Sequence, residues 1–399
     1  MVELATTVMA PYATQKLGDL GADVIKVEGF EGDPNRSMAG GGHPELSGVA
    51  LNLHRNKRSV AVDLKTAEGN RIARELIARA DVLVTNFRYS ALTRLGLDYD
   101  SVAGDNPRLV YVEAHGHPLK TGRAEEPAYD DTIQAQTGLP RLSEEVGNGV
   151  FFLPTLLADK VSGHEIVQAV LAALVSRGVT GAGQRVEVPM FDAVLSFVLT
   201  EHIGLAAFPG GKAGYSRILT ANRGPHRTAD GWLAMMPYLD RHWRALFEEA
   251  GCAHLLDSPS HATMVTRLRD ADIVYGELKT VIAKRTTAEW LETCRRLDVP
   301  VAEVPTLDDV IERPELHHGV VTLQEHPVVG PYRAIAQPLK FYGTPTDDAP
   351  LPAPLIGADA HSVLAELGRD DDDIEQLFAG GAVKRPEDHA TRTRVEEIV

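Results

Sequence analysis

The strongest constraint on the fold is an alternation that runs through the first 115 residues. Short apolar runs rich in valine and isoleucine take turns with segments whose apolar residues recur at helical spacing. Parallel strands need a crossover between them, and the usual crossover is a helix, so this order calls for an α/β domain with Rossmann-like winding. Residues 3–9 read as the first strand. Pro11 suits the first turn of a helix and Gly21 its left-handed stop, which places a short helix over 11–20. Residues 22–27 read as the next strand, and a loop rich in Gly, Pro and Ser follows from 29 to 48. Residues 58–64, 81–85 and 108–113 read as further strands, with a helix capped by Thr66 running to about Arg79. No G-x-G-x-x-G follows the first strand, so a dinucleotide fold of the usual kind is not expected.

Downstream, residues 159–177 are a helix candidate, residues 184–189 a strand, and residues 190–207 an apolar helix. A break at Pro209-Gly210-Gly211 marks a domain boundary. We therefore expect a large domain over 1–208 and a smaller α+β domain over 215–315. Residues 316–399 would return to the large domain. Within that return, the proline-rich stretch 326–355 reads as an irregular connection, and 360–378 as a helix pair before a charged tail that frays.

Composition narrows the class. At 399 residues, 44% hydrophobic and 24% charged, the chain is an ordinary globular protein. No apolar run reaches the roughly 18 to 20 residues that span a bilayer. Nothing at the start reads as a signal peptide, so the cytoplasm is the expected compartment. Cys252 and Cys294 form no close pair, which leaves no disulfide framework and no cysteine zinc site. His115 and His117 share a strand face without an evident third ligand, and no metal is expected. The net charge of −16 argues against a nucleic-acid partner. The first 100 residues are nearly balanced, with 12 Lys/Arg against 13 Asp/Glu, so the acidic excess lies further on.

Two features could carry chemistry. Asp159 stands at the start of the 159–177 helix, where a carboxylate is favoured as the anion. A partly desolvated carboxylate can attack a thioester carbonyl, but capping the helix is the ordinary reading of an aspartate there. Local pattern alone does not choose. The second feature is a basic group in the loops after strands: Arg36, Arg55, Lys57, Arg58, Lys65, Arg88 and Arg94. In open α/β sheets ligands bind beyond the carboxyl ends of the strands, which places these side chains well for phosphates. Solvated surface is the alternative for any one of them.

A run of motifs then resembles one family. Pro11-Tyr12-Ala13 through Lys26-Val27-Glu28, with Gly32-Asp33-Pro34-Asn35-Arg36, is similar to the opening of the class III CoA-transferases (the CaiB/BaiF type). The likeness continues through Asn56 to Lys65, Asn86-Phe87-Arg88, Arg94-Leu95-Gly96-Leu97, Ala128-Tyr129-Asp130, Gln134-Ala135, Asp159 with Gly163, Arg227 to Trp232, and Leu355 to His361. These motifs span nearly the whole chain in the family's order.

The resemblance implies a Rossmann-like large domain built from both chain ends, a small middle domain, and two chains interlocked as rings. It implies acyl-CoA and a small carboxylic acid as partners, CoA thioesters as substrates, and no tightly bound cofactor. Carried over residue by residue, Arg36, Val62, Asp63, Leu64, Lys65, Asn86, Phe87, Arg88 and Arg94 would hold coenzyme A, joined by Tyr129. Asp159 matches the family's catalytic aspartate, which points to an aspartyl anhydride followed by an aspartyl-CoA thioester. Amides near Val8 to Ala10 and in the small domain are candidate oxyanion donors. The family also contains α-methylacyl-CoA racemases, in which a histidine stands where this chain has Tyr129. A tyrosine, with an ordinary pKa of about 10, is a poor base, so the transferase is favoured over a racemase, and over a CoA-ester hydrolase or lyase. A non-catalytic acyl-CoA-binding protein would have no need of Asp159. Val8 replaces the glutamine of formyl-CoA transferases, and Met235 to Asp240 stand in place of their glycine-rich loop. Formyl-CoA is therefore not the expected substrate.

Overall fold

The computed structural model describes residues 1–344 and 350–385; most of the expected charged tail lies outside them. Six parallel strands form one sheet in the order β3-β2-β1-β4-β5-β6. They are β1 (Val2–Leu4), β2 (Val24–Glu28), β3 (Lys57–Ala61), β4 (Val82–Thr85), β5 (Val110–His115) and β6 (Gln184–Pro189). β1 is the pivot: Val2 stands opposite Ile25 on one side and Leu83 on the other. The winding reverses beside it, and a crevice opens at the carboxyl ends of β1 and β4, where such sheets bind ligands.

The strands are apolar because helices cover both faces. The helix Ala67–Arg79 turns Ile72, Ala73, Leu76 and Ile77 inward, and Thr66 caps it by accepting from the Gly69 N–H at 3.0 Å. Ala360, Val363, Leu364, Ile374 and Leu377 from the C-terminal helices Ala360–Glu366 and Asp371–Ala379 join the same core. The chain end therefore completes the sheet domain rather than forming one of its own.

Two compact units are distinguished. The first comprises Met1–Thr137, Pro154–Phe197 and the chain from Gly319 onward. The second comprises Gly138–Leu153 and Val198–His318. The second unit has a three-stranded antiparallel sheet (His226–Arg227, Trp232–Met235, Val301–Glu303) and a core around Leu233, Trp243, Phe247, Leu278 and Trp290. Cys252 and Cys294 are buried free thiols within it.

Three local expectations give way. β1 ends at Leu4, not at residue 9, because Thr7 takes a left-handed φ of 73° and turns the chain into helix α1 (Met9–Asp19). The proline-rich stretch expected to be irregular is entered by an antiparallel hairpin, Val321–His326 with Gly330–Ile335. Its strands are half-exposed, and the left-handed Gly330 opens the second of them, so its signal is a turn rather than an apolar run. The helix expected over 190–207 stops at His202 and continues as a 3-10 turn, Gly204–Ala207.

Beneath the β1 turn lies a fully buried charge network. Lys26 Nζ donates to Glu3 Oε1 (2.6 Å), Asp33 Oδ2 (2.9 Å) and the Ala5 carbonyl (2.9 Å). Lys57 Nζ reaches Glu3 Oε2 (2.7 Å) and the Pro11 carbonyl (2.9 Å). Two ammonium groups face two carboxylates, so charge balances without water.

Candidate active site

Asp159 sits in the first turn of the helix Leu157–Thr180 and is 7% exposed. It does not cap that helix. The N-terminal residue Leu156 offers no side-chain cap, and the duty passes to Asp130, whose Oδ2 accepts from the Asp159 backbone N–H at 3.0 Å. Asp130 is itself 5% exposed and its Oδ1 accepts from Gln134 Nε2 at 2.6 Å. The Asp159 carboxylate is thereby released from local structural duty. Burial pushes its pKa up to about 7, and the Asp130 charge pushes the same way. The Met9 backbone N–H and, to a lesser degree, the Lys160 charge hold the rise back.

The Met9 N–H is one of the unpaired donors at the start of α1. Its approach to Asp159 depends on how closely α1 lies against the Asp159 helix. Gly163 makes that approach possible: a Cβ there would stand 2.7 Å from Tyr12 Cδ1 and 2.9 Å from the Met9 carbonyl oxygen. One turn from Asp159, His164 meets the Tyr12 ring edge-on at 5.5 Å.

A cavity of about 260 Å³ opens in front of Asp159, walled by the β1 turn, Asn86, Arg88, His115, Glu126 and Tyr129. A second, largely apolar cavity of about 590 Å³ is lined by Val62, Asp63, Leu64, Lys65, Phe87 and Arg94. Thr6 borders both. Nine of the expected CoA contacts thus divide between two neighbouring cavities across the crevice, with Lys65, Arg88, Arg94 and Tyr129 exposed and free to turn toward an anion.

Arg36, also expected to hold CoA, lines neither cavity. It is 3% exposed and donates through Nε (2.9 Å) and Nη2 (2.6 Å) to Glu28, and through Nη1 to the Pro354 carbonyl (2.9 Å). Glu28 holds this guanidinium in the core and in turn accepts from Ser59 Oγ at 2.6 Å. The basic loop group divides in the same way: Arg55 is taken by Asp19 and Lys57 by Glu3, both buried. What sequence reasoning missed was the supporting cast. Asp130 lies in a quoted motif, but an aspartate at one helix start gives no sign that it caps another helix.

The profile described as "CoA-transferase family III" matches residues 1–360. The succinate–glutarate CoA-transferase of Agrobacterium fabrum is 29% identical, over 92% of this chain and 94% of its own. The formyl-CoA:oxalate CoA-transferase of Streptomyces avermitilis is 30% identical, over 94% and 95% respectively. Among solved structures, a CAIB/BAIF family protein from Brucella suis superimposes with a TM-score of 0.77 at 26% identity, covering 92% of this chain and 97% of that one.

Proposed function

This chain belongs to CoA-transferase family III, and from that premise we propose that it moves coenzyme A from an acyl-CoA to a free carboxylic acid through covalent attachment at Asp159. The chain is an enzyme of that class; the donor, the acceptor and the covalent route are the proposal. The observation that carries the route is the Asp130 cap, which leaves a buried carboxylate unspent at the mouth of a cavity.

The chemistry balances without a net proton. An Asp159 oxygen attacks the thioester carbonyl, the C–S bond breaks, and CoA leaves as thiolate from a mixed anhydride. The thiolate attacks the aspartyl carbonyl, releases the donor acid as carboxylate, and leaves an aspartyl-CoA thioester. The acceptor carboxylate attacks that thioester and expels the thiolate again. Attack of the thiolate on the acceptor's carbonyl then gives the new acyl-CoA and regenerates Asp159. Each tetrahedral stage carries an oxyanion beside the carboxyl carbon. The Met9 amide, already aimed at an Asp159 oxygen, is the donor in place for those stages formed on the aspartyl carbonyl.

Val62 to Lys65, Phe87 and Arg94 are proposed to take the nucleotide end of CoA, with Asn86, Arg88 and Tyr129 along the path to Asp159. Two chains interlocked as rings are the proposed assembly. Racemisation of an α-methylacyl-CoA is the second reading, favoured by one observation: a carboxyl at about 7 with His115 on the same cavity wall has the makings of a base and an acid.

Intact-mass measurement after incubation with a panel of acyl-CoAs separates the two. An acyl or CoA adduct on the wild type, mapped to Asp159 and missing from Asp159→Asn, is the expected result. No adduct with any donor, together with deuterium uptake at the substrate α-carbon, would sink the transferase.

A further inference from the structure

The turn between β1 and α1 is held by four side-chain hydrogen bonds to the backbone of Thr6 and Thr7. Thr7 has φ 73°, a region that disfavours a β-branched residue. Such strain persists where the surroundings over-determine it. Here they do. The Thr7 N–H donates to Asp33 Oδ1 (2.8 Å), and the Thr7 carbonyl accepts from Asn35 Nδ2 (2.5 Å). One residue earlier, Asn86 takes the Thr6 N–H (3.0 Å) and donates to the Thr6 carbonyl (2.8 Å).

Asp33 and Asn35 are themselves fixed from behind. Asp33 Oδ2 is held by Lys26 at 2.9 Å, and Asn35 Oδ1 meets His54 Nε2 at 2.6 Å. All four of these side chains are buried: Asp33 is 2% exposed and Asn35, Lys26 and His54 are 0%. The left-handed residue reverses the strand into α1, and two residues later comes Met9, which lines the same cavity as Asp159 and whose backbone N–H draws the Asp159 pKa down.

We propose that Asp33 and Asn35 are positioning residues of the Asp159 site: they hold Thr7 in its left-handed state and so aim the Met9 N–H at the nucleophile. They touch neither the cavity nor the substrate, and they act through the backbone. The inference rests on the reading of Asp159 as nucleophile, but the aim of the amide can be measured without turnover.

The groups that act on Asp159 are Asp130, Asp131 and Lys160, besides Met9. Arg88, His115 and Glu126 line its cavity. None of these is altered by a change at Asn35 or Thr7, so a shift in Asp159 titration there reports the amide.

The test is pH titration of the protein labelled with ¹⁵N-methionine, the Met9 signal being assigned by Met9→Leu. In the wild type the Met9 amide proton moves downfield as pH rises through the Asp159 midpoint, and the movement is lost in Asp159→Asn. Asn35→Ala shrinks the movement and raises the midpoint by about 1 pH unit, because a hydrogen bond to the charged form is lost. Thr7→Gly, which tolerates the left-handed state with both anchors intact, keeps the wild-type midpoint. A folded Asn35→Ala that titrates as the wild type overturns the proposal. So does a wild-type Met9 amide that ignores pH, a result that stands even where Asn35→Ala does not fold. A protein that shows the expected titration yet transfers no CoA refutes the proposed function alone.

Discussion

As the proposed nucleophile, Asp159 must be an anion in a place that disfavours one. Its pKa is raised from 3.8 to about 7, so at neutral pH about half of the free enzyme carries this carboxyl ionised. Catalytic efficiency is therefore expected to climb with pH through about 7 and level off above it, and a flat profile from pH 5 to 9 would contradict this assignment. Stability runs the other way. Between pH 4 and 7 the native state holds a proton that the unfolded chain has lost, so stability falls as pH rises through that window. Asp159→Asn removes the cost. The variant should match the wild type at pH 4 and exceed it by roughly 2–4 kcal/mol at pH 8, as denaturant melts at the two pH values would read. Its turnover should fall by about a thousandfold or more, since a nucleophile has no substitute.

At the scale of elements, the pairing of α1 with the Asp159 helix depends on one missing methyl. Gly163→Ala places a Cβ 2.7 Å from Tyr12 Cδ1 and 2.9 Å from the Met9 carbonyl, and the backbone contact cannot rotate away. The helices must separate, at a cost of about 1–3 kcal/mol. Because the Met9 amide moves with α1, turnover should fall further than the stability loss explains. A stable Gly163→Ala with wild-type kcat would show that the close approach is packing alone. By contrast Thr66→Ala removes the cap of the helix Ala67–Arg79 and the Thr66 Oγ1 bond to the Asp63 carbonyl, and leaves Asp159 and its cavity untouched. It should cost about 1 kcal/mol in chemical denaturation and leave kcat at saturating acyl-CoA unchanged, with any effect confined to KM.

Over the whole molecule, two kinds of surface decide how the chain is held together. Inside, Glu3 faces Lys26 and Lys57 and its pKa is held near 2 despite complete burial. Its contribution is present above the ordinary glutamate range and is lost as pH falls from about 4.5 toward 2. Glu3→Gln leaves two ammonium groups short of a partner and should destabilise the sheet by about 3–5 kcal/mol. Outside, Leu171, Val175 and Val179 follow one another at four-residue spacing on the Asp159 helix, and Val179 is 86% exposed. In the proposed interlocked pair this stripe is covered. Native mass spectrometry should then find two chains in the wild type, and a single chain when Val175 and Val179 are both changed to glutamate.

Much of the fold could be read directly because its signals are local. Strand-length apolar runs, the Thr66 cap, the Gly21 stop and the helical spacing after Asp159 each act over a few residues, and the winding follows from their order. The family motifs added Asp159 itself. What was not legible at the β1 turn and at Arg36 has one cause. Thr7 bears no turn signature, since its left-handed state is imposed by Asp33 and Asn35 from a later loop. Arg36 looks like any loop arginine until Glu28 is brought alongside it. The sequence alone determined most elements of the parallel sheet domain and which carboxylate heads the long helix. Only the tertiary structure decided that Asp130 caps that helix, that Asp159 is left desolvated, and that Met9 lies on the same cavity wall. Charge, burial and hydrogen bonding between residues far apart in the chain have no local code; they exist only once the elements have packed.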